Sequence, residues 1–228
     1  RDTGTFVHYM HSWENGGSLS SDAILALNED TQGNIWVGTS KGLNILNKKT
    51  GLFTRYRHQP SVPGSLSHDR VTAIVRDDKG NMWVGTDNGL NRFHSDTQRF
   101  TSFFAQENEP YEIYTMIKDN QGRLLVGTSK GIDVWELENV RTTSLSYWKQ
   151  TSEEGFITSL WQDGAGGLWV GTYDGLAYVS LDKDEVNFHR INVSDPRSLN
   201  TNKIQSLYGD RAGRMWVGTF TGGINILD

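Results

Sequence analysis

Apolar positions along this chain fall in short runs separated by polar, glycine-rich turns, and the runs come in a fixed order. Ile24-Leu-Ala-Leu27 leads into Asp30-Thr-Gln-Gly33, then Ile35-Trp-Val37, then the turn Ser40-Lys41-Gly42 and the alternating Leu43-Asn-Ile-Leu46. The amphipathic stretch Leu52-Phe-Thr-Arg-Tyr56 closes the set. Period-two alternation with β-branched and aromatic residues predicts strands, and no amphipathic run is long enough for a stable helix. Asp30-x-x-Gly33 reads as a type I turn, with Asp accepting backbone hydrogen bonds and Gly supplying a positive φ. The first run of each set lacks clean alternation, as expected of strands buried on both faces.

The set recurs. Val-Gly-Thr cores begin at Val37, Val84, Val126, Val170 and Val217, so the steps are 47, 42, 44 and 47 residues. Four strands at this period predict an all-β chain, a five-bladed β-propeller of four-stranded antiparallel blades. The blades are expected at about 20–58, 67–105, 111–149, 155–192, and 202–228 plus 3–10. Thr3-Gly-Thr-Phe-Val-His-Tyr9 matches Thr50-Gly-Leu-Phe-Thr-Arg-Tyr56, and Ile224-Asn-Ile-Leu227 matches the third strand of a blade. The N-terminal strand is therefore expected to complete the last blade and close the ring, which would remove both exposed edges.

Within the frame, Trp36, Trp83, Trp169 and Trp216 are expected to pack between blades, with Leu125 in their place in the third repeat and Trp135 on the adjacent strand. Gly38, Gly85, Gly127, Gly171 and Gly218 sit inside strands, where a glycine marks the close approach of a neighbour. Gly17-Ser-Leu-Ser-Ser-Asp22, Gly64-Ser-Leu-Ser-His-Asp69 and Arg197-Ser-Leu-Asn-Thr-Asn202 read as loops that position the next inner strand, their polar side chains satisfying nearby backbone groups. The loops before the third and fourth repeats, at 106–111 and 151–155, depart from this signature.

Composition changes the picture only at the margins. A chain of 228 residues suits one propeller domain, and a formal charge of −5 argues against binding a nucleic-acid backbone. The absence of cysteine removes disulfide and thiolate chemistry. No apolar run reaches membrane-spanning length. The six histidines show no metal-ligand spacing, the Asp-x-x-Gly turns lack the oxygen ligands of a calcium loop, and no nucleophile–base pair stands out. The expectation is a non-enzyme with no catalytic residues, no metal and no cofactor.

The repeat Ile/Val-x-x-Leu/Ile-x-x-Asp-x-x-Gly-x-Leu/Ile/Met-Trp-Val-Gly-Thr-x-x-Gly-Leu resembles the two-component regulator propeller repeat. The resemblance implies a periplasmic sensor region of a hybrid two-component histidine kinase, of the kind common in gut Bacteroidetes. Such a region detects glycan breakdown products and signals through membrane and kinase parts that this sequence does not contain. Members usually resemble seven-bladed rings in tandem, so five repeats without an initial Met or signal peptide read as a fragment of a larger array. Its partners would then be an oligosaccharide, the remaining propeller, β-sandwich and kinase parts, and a second copy in a homodimer.

In a repeat scaffold, specificity is expected where the copies differ. The central hairpin turns read Ser40-Lys41, Asp87-Asn88, Ser129-Lys130, Tyr173-Asp174 and Phe220-Thr221, and neighbouring loops add Trp13 and Tyr111. The candidate ligand residues are therefore Trp13, Lys41, Asp87, Asn88, Tyr111, Lys130, Tyr173, Asp174 and Phe220, a mix of aromatic, amide and charged groups suited to sugars. A protein-interaction propeller without a small ligand is the alternative reading. A propeller lyase of the streptogramin-inactivating kind is a further one, although its repeats usually continue with Phe-Thr-Glu rather than Val-Gly-Thr.

Overall fold

A computed structural model describes residues 4–104, 110–144, 156–180 and 185–227. It contains nineteen strands and no helix among the described residues. The strands form five antiparallel sheets in chain order. The first holds β1 (Ile24–Glu29), β2 (Ile35–Thr39), β3 (Gly42–Asn47) and β4 (Leu52–Tyr56), and the second β5 (Val71–Arg76), β6 (Met82–Thr86), β7 (Gly89–His94) and β8 (Arg99–Phe103). The third holds β9 (Ile113–Lys118), β10 (Leu124–Thr128), β11 (Gly131–Glu136) and β12 (Arg141–Ser144). The fourth holds β13 (Ile157–Gln162), β14 (Leu168–Thr172), β15 (Gly175–Ser180) and β16 (Glu185–His189), and the fifth β17 (Ile204–Gly209), β18 (Met215–Thr219) and β19 (Ile224–Leu227). These are propeller blades. The chain divides into two compact units, residues 1–110 with two blades and 111–228 with three.

Every first-to-second strand pair carries a β-bulge at the same place, between Ile24 and Ala26, Val71 and Ala73, Ile113 and Thr115, Ile157 and Ser159, and Ile204 and Ser206. A bulge of this kind adds twist and turns one side chain toward the end of the blade.

The Asp-x-x-Gly turn is a hub. The Asp30 Oδ1 accepts the backbone N–H groups of Gln32 and Asn34, each at 2.9 Å, while Oδ2 accepts Asn34 Nδ2 and the Trp36 indole N–H at 3.0 Å. Asp77 repeats this with Lys79, Asn81 and Trp83, and Asp210 holds Trp216 at 2.9 Å. In the third blade Arg123 takes the place of the tryptophan, donating to Asp119 Oδ2 at 2.6 Å. Burial opposes ionisation of Asp30 and Asp77, but the donated hydrogen bonds outweigh it and hold both carboxyls below their ordinary value of 3.8.

Trp36 and Trp83 are almost fully buried. Trp36 meets Phe93 edge-on at 5.0 Å and joins a core with Leu43, Val71, Met82 and Phe100. Trp169 and Trp216 are only half-buried. Leu125 and Trp135 are both buried, on adjacent strands of the third blade. Gly38 is required by close approach, since a Cβ there would lie 2.7 Å from Val71 Cγ1 and 2.9 Å from the Val71 carbonyl oxygen. Gly127 and Gly171 face Ile157 and Ile204 in the same way.

The Ser-Leu-Ser loops are clasps. Asp22 and Asp69 accept the backbone N–H groups of His11 and His58 at 2.6 and 2.7 Å, and Asn202 accepts that of Ile191 at 2.7 Å. Asn44, Asn91 and Asn225 accept from Ser20, Ser67 and Asn200 in turn. The differing loop stretches at 106–109 and 151–155 lie outside the described residues.

Two expectations need correction. Residues 4–10 form no strand, and the fifth sheet has three strands among the described residues, so the expected pairing of Thr5–Tyr9 with the last blade is not observed. The N-terminal stretch is instead tied to the first blade: Tyr9 meets the Phe53 ring at 5.3 Å, and His11 bridges to Leu19. Strand composition needs a partner edge before it becomes a strand, and these local contacts fix the segment without one. Inner strands β1 and β17 are also not buried on both faces, since Leu27 and Tyr208 are 64% and 58% exposed.

Two measurements check this frame. Trp36→Ala should cost about 3–5 kcal/mol by leaving a cavity, while Lys41→Ala on the exposed turn should leave the thermal midpoint nearly unchanged. Asp77→Asn should destabilise by about 1–3 kcal/mol at pH 7, because an amide donor would then face the Trp83 and Asn81 donors. The folded-state pKa of Asp77 is depressed, so its contribution is present above about pH 4 and lost as pH falls further. The variant should accordingly show a shallower loss of stability between pH 4 and pH 2 in acid-unfolding curves.

Candidate functional site

The Val-Gly-Thr threonine shapes the turn end of each blade. Thr39 Oγ1 donates to the Gly42 carbonyl at 2.9 Å and accepts the Lys41 N–H at 3.0 Å, and Thr86, Thr128 and Thr172 act alike. Gly42 takes φ +125° where a Cβ would meet the Tyr56 carbonyl oxygen at 2.5 Å, so only glycine suits the turn. In the fifth blade the turn is one residue longer, and Thr219 reaches Gly223. The turns share their end of the blade with the inter-blade loops: Ser40 N–H donates to the Ala23 carbonyl, Asp87 to Arg70, Ser129 to Glu112 and Phe220 to Lys203.

In the first unit Trp13 and Lys41 come together. The Lys41 ammonium stands 5.5 Å from the Trp13 ring centroid, His11 meets that ring edge-on at 4.6 Å, and Trp13 is 83% exposed. Asp87 is engaged by Arg70 at 3.0 Å, and Asn88 Oδ1 is buried without a partner among the described residues.

In the second unit Tyr173 lies 6.4 Å from Phe156, which meets Tyr114 edge-on at 5.5 Å. Tyr114 donates its hydroxyl proton to Glu112 at 2.7 Å. Sequence reasoning missed Phe156 and Tyr114. The available signal was the bulge position, where Leu25, Thr72, Tyr114, Thr158 and Gln205 vary as the turns do. Asp174 pairs with Arg190 at 2.8 Å, Lys130 is exposed, and Phe220 is 65% exposed.

Tyr111 differs from the expectation. It is buried, and its hydroxyl donates to Asp133, which also accepts from Ser144. Burial, reinforced by the Asp133 charge, pushes the Tyr111 hydroxyl up and keeps it a proton donor. Asp133 stands where the first two blades have Asn44 and Asn91, and Tyr111 takes over the role of the serine clasp that this blade lacks. It belongs to the frame. No group of His, Asp or Glu poised to hold a metal ion occurs among the described residues.

The fold defines the class of protein, an all-β propeller, and comparison with known proteins narrows it. Residues 18–41, 65–88 and 198–221 match the family described as two component regulator propeller. No curated protein matches. The extracellular domain of a B. thetaiotaomicron protein described as a hybrid two-component system superposes with a TM-score of 0.78 at 20% identity, over 90% of this chain and 27% of its own. PorZ, a surface component of the type-IX secretion system of Porphyromonas gingivalis, gives a TM-score of 0.67 at 18% identity, over 94% of this chain and 33% of its own. Virginiamycin B lyase from Staphylococcus aureus gives 0.62 at 12% identity, over 90% and 69%. At these identities the likeness is one of fold. The chain spans about a quarter of the length of the first of these structures.

Tyr111→Phe should lower stability by about 1–3 kcal/mol, because Asp133 would lose a donor inside the fold. A thermal melt reads this directly, and an unchanged midpoint would return Tyr111 to the list of accessible ligand contacts.

Proposed function

We propose that this chain is the ligand-sensing propeller region of an extracytoplasmic sensor of the hybrid two-component kind, lying in the periplasm and belonging to a longer protein. Two things support the reading: the family repeats, and the shared fold with an extracellular domain of such a system. The observation that carries ligand binding is the division of labour within the repeat. One end of each blade is fixed by the aspartate hub, while the turn end varies and exposes Trp13 beside Lys41 and Tyr173 beside Phe156.

Each pair offers an aromatic face with polar groups at its rim. An indole or phenol face suits the C–H side of a pyranose, and an ammonium or hydroxyl reaches the ring's oxygens. The class of ligand is a glycan breakdown product, and Lys41 favours one with an acidic sugar. A few anchors of this kind support micromolar affinity, about −8 kcal/mol. A protein partner is the second reading, favoured by Phe220 and Ile224, both about two-thirds exposed. Catalysis is not part of the proposal, because the recurring carboxylates are engaged in holding turns.

Calorimetry against a panel of neutral and acidic oligosaccharides tests the reading. Binding by the wild-type protein should weaken at least about tenfold, about 1.4 kcal/mol, in Trp13→Ala or Tyr173→Ala. Binding that survives both substitutions would move the site away from the turns. No binding across the panel, with Mg²⁺-dependent turnover of a streptogramin instead, would replace sensing by lyase chemistry.

A further inference from the structure

A second cleft lies at the opposite end of the second unit, between its fourth and fifth blades. Its volume is about 400 Å³, and its walls include Trp161, Gln162, Trp169, Gly209, Met215 and Leu227. The equivalent place in the first unit, beside Trp36 and Phe93, is a different environment. There the tryptophan is buried and its N–H is spent on Asp30.

Two residues set the Trp169 side of the cleft apart. Where the other four repeats have Asn34, Asn81, Arg123 and Arg214 two places before the core tryptophan or leucine, the fourth has Gly167. A Cβ on Gly167 would collide with the Tyr178 ring, so glycine opens the space that tyrosine enters. The Tyr178 hydroxyl donates to Asp163 Oδ2 at 3.0 Å, taking the acceptor that Trp36, Trp83 and Trp216 use in their own blades. Trp169 stacks obliquely on Tyr178 at 4.7 Å instead, and its indole N–H has no partner among the described residues.

Trp161 adds a second indole from β13, held by Tyr208 at 5.5 Å and lying over the Gly209 backbone, where a Cβ would touch the indole nitrogen at 2.5 Å. Its N–H is likewise unpartnered among the described residues. Gln162 accepts the Asn120 N–H at 2.7 Å through Oε1, which leaves its Nε2 as a donor. The nearby carboxylates are already occupied: Asp163 accepts from Ala165, Gly167 and Tyr178, and Asp210 from Ala212, Arg214 and Trp216. The cleft therefore presents aromatic surface and spare donors but few spare acceptors. Asp163 and Asp210 line the cleft and keep their charge, which disfavours an anionic ligand. A ligand with an apolar face and a rim of acceptor oxygens fits.

We propose that this cleft is a sugar-binding site, accommodating one neutral hexopyranose ring against Trp161 and Trp169, which lie side by side as a cross-strand pair, separate from the turn-end site. It does not depend on that site being real. Gly167 and Tyr178 act as positioning residues, since they release Trp169 from the aspartate without touching the ligand.

Assigned indole resonances in ¹H–¹⁵N spectra of the ¹⁵N-labelled chain provide the test, titrated with glucose, galactose and glucuronate. The Trp161 and Trp169 signals should shift together and saturably with at least one neutral sugar, while those of Trp36 and Trp83 stay in place. The double variant Gly167→Asn/Tyr178→Ile, which restores the residues of the first blade, should fold and lose at least about tenfold in affinity. Tyr178→Phe, which frees Asp163 for the indole N–H, should weaken binding in the same direction. No shift at either indole with glucose or galactose, or undiminished binding by the double variant, overturns the proposal. Shifts confined to Trp13 would overturn it too, yet leave turn-end sensing standing.

Discussion

The fold depends on one carboxylate per blade. An aspartate at the start of each hairpin accepts two backbone N–H groups through one oxygen and side-chain donors through the other. The first pair closes the turn, and the second reaches across to the neighbouring strand. Where the donor is an indole, the same contact orients the largest side chain of the interblade core. Local turn geometry and long-range packing are thus linked through a single residue. This explains why the repeat tolerates variation almost everywhere except at Asp, Gly and the Val-Gly-Thr core. Asp77 and Asp119 are buried, and a buried ionised group is tolerable only when its hydrogen-bonding capacity is filled, as it is at both.

Strand order, blade number and turn chemistry were legible in the sequence because they are local. Asp30-x-x-Gly33 and Thr39-x-x-Gly42 state their own hydrogen bonds, and Gly38 announces a neighbour. The clasp made by Ser18, Ser20 and Asp22 was legible for the same reason. What failed was non-local. Thr5–Tyr9 has the composition of an outer strand, but composition does not supply an edge, and the segment settles against Phe53 and Leu19 instead. Burial of β1 and β17 was misjudged likewise, Leu27 and Tyr208 being exposed.

The candidate site was legible to a lesser degree. Variation at the turns pointed to Lys41 and Tyr173, and loop composition pointed to Trp13, which does meet Lys41. Tyr111 was misread because a tyrosine in a loop looks accessible until its partner, Asp133, is known. That partner replaces an asparagine of the repeat, so the pair exchanges one clasp for another. Phe156 and Tyr114 were missed because the bulge that aims Tyr114 toward the turn end is a register feature, invisible in residue type alone.

The fourth blade shows how such a frame acquires new chemistry at small cost. The hub needs a donor for each carboxylate oxygen, but does not specify which residue supplies it. An asparagine, an arginine or a tyrosine hydroxyl serves equally, as Asp30, Asp119 and Asp163 show. When tyrosine supplies it, the turn stays closed and the strand pairing stays in register, while an indole donor is set free at the surface. Satisfying the carboxylate is a structural requirement, whereas the identity of the donor is open to selection for binding. Function can therefore change at the most constrained position in the repeat, provided that donors and acceptors stay balanced.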